Sequence, residues 1–200
     1  LLEKVPETGL FRLTTTMSSL GASAETAHRL HESATIPLDQ LRTVTDGTLH
    51  VAILDGVDVL YIERREGPGA ISVFRAVGSR NLAHVTSTGK VLLAALPPEQ
   101  QRRTVEHMRL TPKTPRSITS RSAFLAELAT VRRQGYGENR GESEPGMASI
   151  AAPVRDPLGR VVAAVSVAAR VPDVTVGLRH LARPVVETAL RISAGLGGQR

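Results

Sequence analysis

One stretch of the chain, residues 77–96, passes from a strand-like run through a short polar turn into an apolar helix. It reads VGSRNLAHVTSTGKVLLAAL, and Pro97-Pro98 should end the helix because proline has no N–H to continue it. The helix begins in Thr86-Ser87-Thr88, with Gly89 next. A helix start leaves backbone N–H groups unpaired and carries a partial positive charge. The turn therefore predicts either an ordinary capped helix on a sheet or a place where an anion can approach the backbone.

Composition limits the class of protein. The chain has 200 residues, 41% of them hydrophobic, which suits one large domain or one domain with a small attachment. Cysteine is absent, which excludes disulfides and thiolate zinc sites. No apolar run is long enough to span a bilayer and no signal-peptide pattern opens the chain, so we expect a cytoplasmic protein without membrane contacts. The net charge of +6 comes from scattered arginines and aromatics are 2%, which indicates a solvated surface with weak affinity for nucleic acid.

The order of predicted elements indicates an α+β fold. Hairpins grouped in pairs favour an antiparallel sheet with helices on its faces. Residues 161–169 are apolar throughout, which predicts a strand covered on both faces. The predicted helices are 24–44 (kinked or split at Pro37), 86–96, 99–108, 120–134 (ended by Gly135) and 174–196 (bent at Pro184). The predicted strands are 49–54, 59–64, 71–77, 148–155 and 160–170, and residues 137–146 form a polar, acidic loop.

The start of the chain is less regular. Residues 1–5 could end a helix, and residues 10–13 form a short strand after a turn at 7–9. Residues 14–20 are weakly helical, and Gly21-Ala22-Ser23 is typical of a joint. Too little sequence precedes this joint for a domain of its own.

Four motifs, in order and with matching spacing over residues 24–195, resemble the IclR-type bacterial transcriptional regulators. They are HVAILDGVDVLYIER (50–64), GSRNLAHVTSTGKVLLAALP (78–97), LAELATVRRQGYG (125–137, followed by Glu142 and Gly146) and IAAPVRDPLGRVVAAVSV (150–167). The resemblance implies an effector-binding domain that looks like a GAF/PAS-type fold, a curved antiparallel sheet with helices on both faces. It also implies a winged helix-turn-helix that binds operator DNA, a homodimer or homotetramer, and a small-molecule effector, often a carboxylate or aromatic acid, without a cofactor.

The same resemblance divides the chain and places a ligand pocket. Residues 1–13 look like the end of a recognition helix and a wing, 14–23 like a linker helix, and 24–200 like the effector-binding domain, so that most of the DNA-reading module lies outside this chain. The pocket positions implied by the family are Ala70, Val73, Ser87, Thr88, Asn139, Met147, Ser149, Ser166 and Ala168. Asn139 stands where the family more often has an acid, and the loss of this negative charge should favour an anionic ligand or change the class of ligand. Ala168 replaces a hydroxyl seen in some relatives.

Several polar residues have a plainer interpretation. Ser149 and Ser166 could be buried strand serines bonded to backbone. Lys90 is expected to be a solvated side chain, and His84 a structural, hydrogen-bonded histidine. Glu142 and Glu144 are typical of a solvated loop, which Glu142 could hold by accepting backbone N–H bonds.

Two other classes of function remain open on the sequence alone. A small hydrolase-like enzyme could use Ser87 or Ser166 with His84, but no G-x-S-x-G elbow and no H-E-x-x-H motif occurs. The six histidines show no metal spacing except His28 and His31, which have no third ligand nearby in sequence. We therefore predict no catalytic residue and no metal site. A stand-alone GAF-type sensor that never touches DNA is the third possibility.

Overall fold

A computed structural model of the chain describes residues 2–4, 11–13, 15–67 and 76–197. Its strands are β1 Leu2–Lys4, β2 Phe11–Leu13, β3 Thr48–Asp55, β4 Asp58–Glu66, β5 Arg80–Leu82, β6 Gly137–Arg140, β7 Met147–Arg155 and β8 Val161–Arg170. Its α-helices are α1 Thr15–Arg42, α2 Ser87–Ala95, α3 Pro98–His107, α4 Arg121–Gln134 and α5 Ala182–Gly197. Short 3-10 turns, Ala83–Val85 and Arg179–Leu181, precede α2 and α5.

The main sheet has six strands in the order β5-β4-β3-β8-β7-β6, and each neighbouring pair is antiparallel. Register shifts, between Val51 and Ala52 and between Val154 and Arg155, interrupt the ladders that β4 and β8 make with their neighbours. Such bulges increase the local twist of a strand. The predicted α+β class is confirmed, and β8 lies in the interior of the sheet, as its apolar sequence predicts.

The two faces of the sheet carry different residues because side chains alternate along a strand. One face is built from large aliphatic residues and packs against α1 and α5. The other face is built partly from alanines and packs against α2, and α4 and α3 complete the apolar cluster on that side, with α4 packed against α2 and α3 against α4. The alanines are Ala52 of β3, Ala151 of β7 and Ala164 of β8, all fully buried. Their small size lets the short helix α2 approach the sheet closely.

The hairpins and the ends of two helices follow their local signals. The β3–β4 and β7–β8 hairpins form around Gly56 and Gly159, both with positive φ. α4 ends at Gly135, whose φ of 81° is a left-handed conformation that glycine adopts without strain. α2 ends just before Pro97-Pro98. These predictions depend on a few neighbouring residues, and all are confirmed.

The first helix departs from prediction. α1 is one helix of 28 residues, without a joint at residues 21–23 and without a break at Pro37. Ala34 and Leu38, near Pro37, are fully buried in the core that α1 shares with α5 and the sheet, so tertiary packing outweighs the lost backbone hydrogen bond. The interpretation of residues 1–5 as a helix end is also wrong for Leu2–Lys4, which pair with Phe11–Leu13 as a hairpin.

Three further predictions need correction or lie outside the described residues. α5 begins at Ala182 rather than at residue 174, because Pro184 is tolerated only in the first turn of a helix. The predicted loop 137–146 begins with a strand, β6. The predicted strand 71–77 lies almost entirely outside the described residues, and the chain leads into β5 through a turn at Gly78 with φ of 84°.

Candidate functional site

A cavity lies where the start of α2 meets the sheet. On the face that α2 covers, three of the four inner strands, β3, β8 and β7, change from an alanine to a polar residue two positions away. Ala52 gives way to His50 in β3, Ala164 to Ser166 in β8, and Ala151 to Ser149 in β7. Because residues two apart share a face, these polar side chains form one patch under the helix start. The sheet thus supplies hydroxyls and an imidazole to the floor of the cavity.

The wall of the cavity is the first turn of α2. Thr86 is the N-cap residue, and its hydroxyl oxygen accepts a hydrogen bond from the N–H of Gly89 at 3.1 Å. Among the described residues, the N–H groups of Ser87 and Thr88 have no hydrogen-bond partner. The Thr88 hydroxyl is buried and likewise has no partner there. Buried polar groups are normally paired, so these groups are free to bind a ligand or ordered water.

Ser87 also joins the wall to the floor. Its hydroxyl oxygen lies 2.7 Å from the hydroxyl oxygen of Ser149, and both residues are buried. One hydroxyl donates to the other, which leaves one O–H proton for another acceptor. Ser149 in turn lies opposite Asn139 of β6 and Ala168 of β8 in the sheet register. The pair therefore sets the position of α2 over these three strands.

Asn139 organises the turn after β6. Its side-chain oxygen accepts a hydrogen bond from the N–H of Glu142 at 2.8 Å, and its amide nitrogen donates to the hydroxyl of Ser143 at 2.9 Å. One amide proton and the second lone pair of the side-chain oxygen remain for a ligand. This turn places Ser143 and Glu144 at the edge of the cavity.

The structure brings together every pocket position inferred from the sequence that it describes. These residues, which all line the cavity, are Ser87, Thr88, Asn139, Met147, Ser149, Ser166 and Ala168. The remaining two, Ala70 and Val73, lie outside the described residues. The sequence interpretation missed further lining residues, among them His50, Tyr61, Asn81, Ser143 and Glu144. The alternation along β3 and β4 could have placed His50 and Tyr61 on the α2 face; their ring centroids lie 4.8 Å apart.

The sequence suggested that Lys90 is solvated, and this prediction is wrong. Lys90 is among the most deeply buried side chains, with 1% exposed. Its ammonium nitrogen lies 2.7 Å from a carboxylate oxygen of Glu142, 2.9 Å from one of Glu127 and 2.9 Å from the backbone oxygen of Glu138. Glu142 is buried too, so its assignment to a solvated loop is also wrong. Burial raises the pKa of Glu142, and the nearby Lys90 only partly offsets this.

His84 is a structural residue, as the sequence predicted. It is fully buried, its Nε2 lies 3.0 Å from the backbone oxygen of Thr111, and its ring meets Phe124 edge-on. Burial lowers its pKa. His84 does not line the cavity that contains Ser87 and Ser166, so the pairing that the hydrolase alternative requires is not formed.

The described part of the chain offers no cluster of histidine, aspartate and glutamate side chains suited to a metal ion. In the same ranges, no helix combines the length and the apolar character needed to cross a membrane.

Sequence comparison identifies relatives over nearly the whole chain. A family model described as "Bacterial transcriptional regulator IclR C-terminal" matches residues 22–194. The chain is 35% identical over 161 residues to the HTH-type transcriptional regulator KdgR of Escherichia coli, covering 80% of this chain and 61% of KdgR. It is 32% identical over 199 residues to the regulator XynR of the same organism, covering 98% of this chain and 78% of XynR. The chain thus spans about three fifths of the length of KdgR.

Solved structures share the fold. The C-terminal domain of E. coli KdgR is 33% identical, with a TM-score of 0.74 over 84% of this chain and 99% of that domain. An IclR homolog from Microbacterium hydrocarbonoxydans in complex with 4-hydroxybenzoate is 27% identical, with a TM-score of 0.78 over 98% and 79% of the two chains. A double mutant of the PobR inducer-binding domain from Acinetobacter, in complex with 3-hydroxybenzoic acid, is 30% identical, with a TM-score of 0.72 over 81% and 96%.

These relatives are named as regulators of transcription, not as enzymes, and this sets the hydrolase alternative aside. The family model covers most of the chain, and the KdgR domain shares the fold. The chain therefore belongs to the IclR family of bacterial transcriptional regulators and carries the C-terminal domain of that family.

Proposed function

We propose that the cavity at the start of α2 binds a small carboxylic acid and that this chain is the effector-sensing part of a DNA-binding regulator. The observation that carries the proposal is the free hydrogen-bonding capacity at the helix start. The N–H groups of Ser87 and Thr88 and the buried Thr88 hydroxyl have no partners among the described residues, and both residues line a cavity with a polar floor.

The chemistry of these groups suits an anion. Two adjacent N–H groups at a helix N-terminus can each donate to a carboxylate, and the helix dipole adds about 0.3–1 kcal/mol, or up to ~2 kcal/mol in a partly buried site. Ser149 and Ser166 offer hydroxyls from the sheet, and Asn139 offers one amide proton at the edge. Met147 and Ala168, with Ala70 and Val73, would pack the apolar part of the ligand.

The complexes of the two neighbouring structures support an aromatic acid as the ligand class. One contains 4-hydroxybenzoate and the other 3-hydroxybenzoic acid, and each combines a carboxylate with a ring and a hydroxyl group. His50 and Tyr61 provide aromatic surface at the cavity, and Glu144 provides an acceptor for a ligand hydroxyl. A monocarboxylate with a hydroxyl at its far end therefore fits the lining.

The remainder of the proposed function concerns DNA. The relatives are named helix-turn-helix regulators, so we infer that operator DNA in the cytoplasm is bound through a winged-helix module to which the β1–β2 hairpin belongs as the wing. α1, about 42 Å long at 1.5 Å per residue, would connect that module to the sensing domain as one rigid rod. The expected assembly is a homodimer or homotetramer, and no cofactor is required.

The test is a ligand screen with matched neutral compounds. The melting temperature of the chain is measured with 4-hydroxybenzoate, 3-hydroxybenzoate and a set of short hydroxy acids, and the neutral amide of each acid is the control compound. The affinity of each compound that raises the melting temperature is then measured by calorimetry. Thr88→Val removes one hydroxyl from the cavity without changing side-chain shape, and Thr35→Val is the matched control on the outer part of α1. We expect acids to bind and their amides to bind at least tenfold more weakly. Thr88→Val should weaken binding of the acid by about 1 kcal/mol, and Thr35→Val should leave it unchanged. Equal binding of acids and amides would refute the anion site.

A further inference from the structure

Lys90 follows Ser87 and Thr88 by less than one helical turn, yet its side chain does not enter the cavity. It runs instead between α2, α4 and the segment after β6, where its ammonium group contacts Glu142, Glu127 and the backbone oxygen of Glu138. With 1% of the side chain exposed, the charge has lost nearly all contact with solvent. Removing a charge from water is costly unless partners replace the lost hydration, and here three acceptors do so.

The partners of Lys90 lead back to the cavity through a short chain of contacts. Glu142, which Lys90 holds by its carboxylate, donates its N–H to the side-chain oxygen of Asn139. Asn139 donates its amide to Ser143. Asn139, Ser143 and the adjacent Glu144 all line the cavity. The segment of residues 139–144, here named the rim loop, therefore has its conformation tied to Lys90.

The far side of the rim loop is held separately. The Thr114 hydroxyl donates to the backbone oxygen of Gly141 at 2.6 Å, and the Ser117 hydroxyl donates to that of Glu142 at 2.7 Å. These bonds come from the irregular segment between α3 and α4 and fasten the loop's outer carbonyls. They do not fix the direction of the Glu142 side chain, which only Lys90 and a longer contact from the N–H of Arg140, at 3.4 Å, engage among the described residues.

A buried ion pair is a poor source of stability, because well-packed apolar residues of similar volume often stabilise a fold equally well or better. A paired charge fixes the position of its partner, since the lysine nitrogen keeps its hydrogen bond only when the carboxylate lies at one position. An apolar pair in the same place would fill the space and leave the loop free to adopt other conformations.

We propose that Lys90 is a positioning residue for the cavity: by holding Glu142, it keeps the rim loop in the conformation in which Asn139, Ser143 and Glu144 line the binding site. The statement about the loop stands on the contacts alone, and its consequence for effector affinity rests on the proposed function. Loss of the ion pair loosens the rim loop and weakens binding, although Lys90 does not touch the ligand.

The experiment compares hydrogen exchange in the unmodified chain, Lys90→Met, and the double variant Lys90→Met/Glu142→Leu. Arg103→Met is the matched control, because Arg103 forms an exposed ion pair with Glu99 on α3. We expect Lys90→Met to be destabilised by the unpaired Glu142 and the double variant to recover most of the lost stability. In both variants the amides of Gly141 and Glu142 should exchange about tenfold faster or more, while amides of β7, β8 and α5 in the double variant remain as in the unmodified chain.

Two results would overturn the proposal. One is rim-loop protection that returns together with stability in the double variant, since the pair would then serve the fold alone. The other is rim-loop protection that is unchanged in Lys90→Met.

A second measurement, binding of 4-hydroxybenzoate and 3-hydroxybenzoate by calorimetry, separates this inference from the proposed function. If the unmodified chain binds neither compound, the proposed ligand class loses support and the exchange data alone decide the role of Lys90. If it binds one, the double variant should bind that compound about fivefold more weakly or worse, and equal affinity would count against the positioning role.

Discussion

The hydroxyl oxygens of Ser87 and Ser149 lie 2.7 Å apart, so that one hydrogen bond joins the start of α2 to β7 at the floor of the cavity. The two residues are 62 positions apart in the chain. They meet because small residues at Ala151, Ala164 and Gly137 let α2 lie close against the sheet. The same contact that fixes the helix also brings its free N–H groups over the polar patch of the strands.

Removing this contact should cost stability. Ser149→Ala leaves the buried Ser87 hydroxyl without its partner, and we expect the free energy of unfolding to fall by about 1 kcal/mol. Urea denaturation measures the change. Ser122→Ala, at an exposed position in the first turn of α4, is the control and should change stability little. Equal effects of the two substitutions would show that the Ser87–Ser149 bond contributes nothing.

Gly89 has a structural role that differs from the one suggested by the sequence. A Cβ atom there would lie 2.2 Å from the backbone oxygen of Ala83, so the missing side chain makes room for the preceding 3-10 turn rather than for an anion. Gly89→Ala should therefore destabilise the protein by about 2–3 kcal/mol or more, although alanine ordinarily favours a helix by ~1 kcal/mol.

The matched comparison for Gly89 is Gly135→Ala at the end of α4. There the positive φ opposes alanine, but no atom lies within 4 Å of the added Cβ. We expect a smaller loss of about 1 kcal/mol. Thermal and urea denaturation should rank the two variants in this order, and the reverse order would show that the turn before α2 can move aside.

The burial of His84 should make stability depend on pH. Its pKa is lowered from the ordinary value of 6.5, because burial disfavours the charged ring and the coulombic effects of Lys113 and Lys90 act in the same direction. The bond to Thr111 and the charge of Asp58 oppose this shift without cancelling it. The unfolded chain then takes up a proton more readily than the folded one. The contribution of His84 is fully present above pH 6.5 and is lost as the pH falls through its folded-state pKa.

This dependence can be measured with His84→Gln, whose amide can still donate to Thr111. Between pH 7.5 and pH 5, we expect stability to fall less in this variant than in the unmodified chain. Glu142 has a raised pKa and acts in the opposite direction, so variant and parent must be compared at each pH. His107→Gln, at an exposed position on α3, serves as the control. Parallel pH profiles for His84→Gln and the unmodified chain would contradict the assignment.

Asn139→Asp tests the sign of the charge that the cavity accepts. An aspartate can still accept the N–H of Glu142 and a proton from the Ser143 hydroxyl, so we expect the turn to be retained. The added negative charge should weaken a bound carboxylate by about 1–3 kcal/mol at an effective dielectric near 20. Calorimetry with an acid from the screen gives the value, and Gln134→Glu adds the same charge on the surface as the control. A gain in affinity in Asn139→Asp would mean that the part of the ligand next to residue 139 is neutral or cationic.

The features that could be predicted from sequence are those set by near neighbours. The Asp55–Asp58 turn, Gly135 and Pro97-Pro98 each determine a local conformation, and the alternation of side chains fixes which residues share a face. The family motifs added the pocket positions, and the structure places those it describes around one cavity.

The features that escaped prediction depend on how distant elements meet. A lysine near the start of a helix is usually solvated, and nothing in the sequence indicates that α4 and the segment after β6 would enclose Lys90 with two carboxylates. The alternation along β3 and β4 puts His50 and Tyr61 on the face that α2 covers, but only the register of the folded sheet shows that they lie beside the cavity. α1 continues through Pro37 because buried residues of its second half, such as Ala34 and Leu38, pack in the core.

A two-dimensional amide NMR titration of the chain can detect an anion site at the start of α2 residue by residue. The unmodified chain is titrated with 4-hydroxybenzoate, 3-hydroxybenzoate and short hydroxy acids, each beside its neutral amide. We predict saturable binding of at least one acid, with the largest shifts at the N–H groups of Ser87 and Thr88, and no such shifts with the amide. Saturable binding with its largest shifts at other residues, or no saturable binding of any acid, would rule out an anion site at the start of α2.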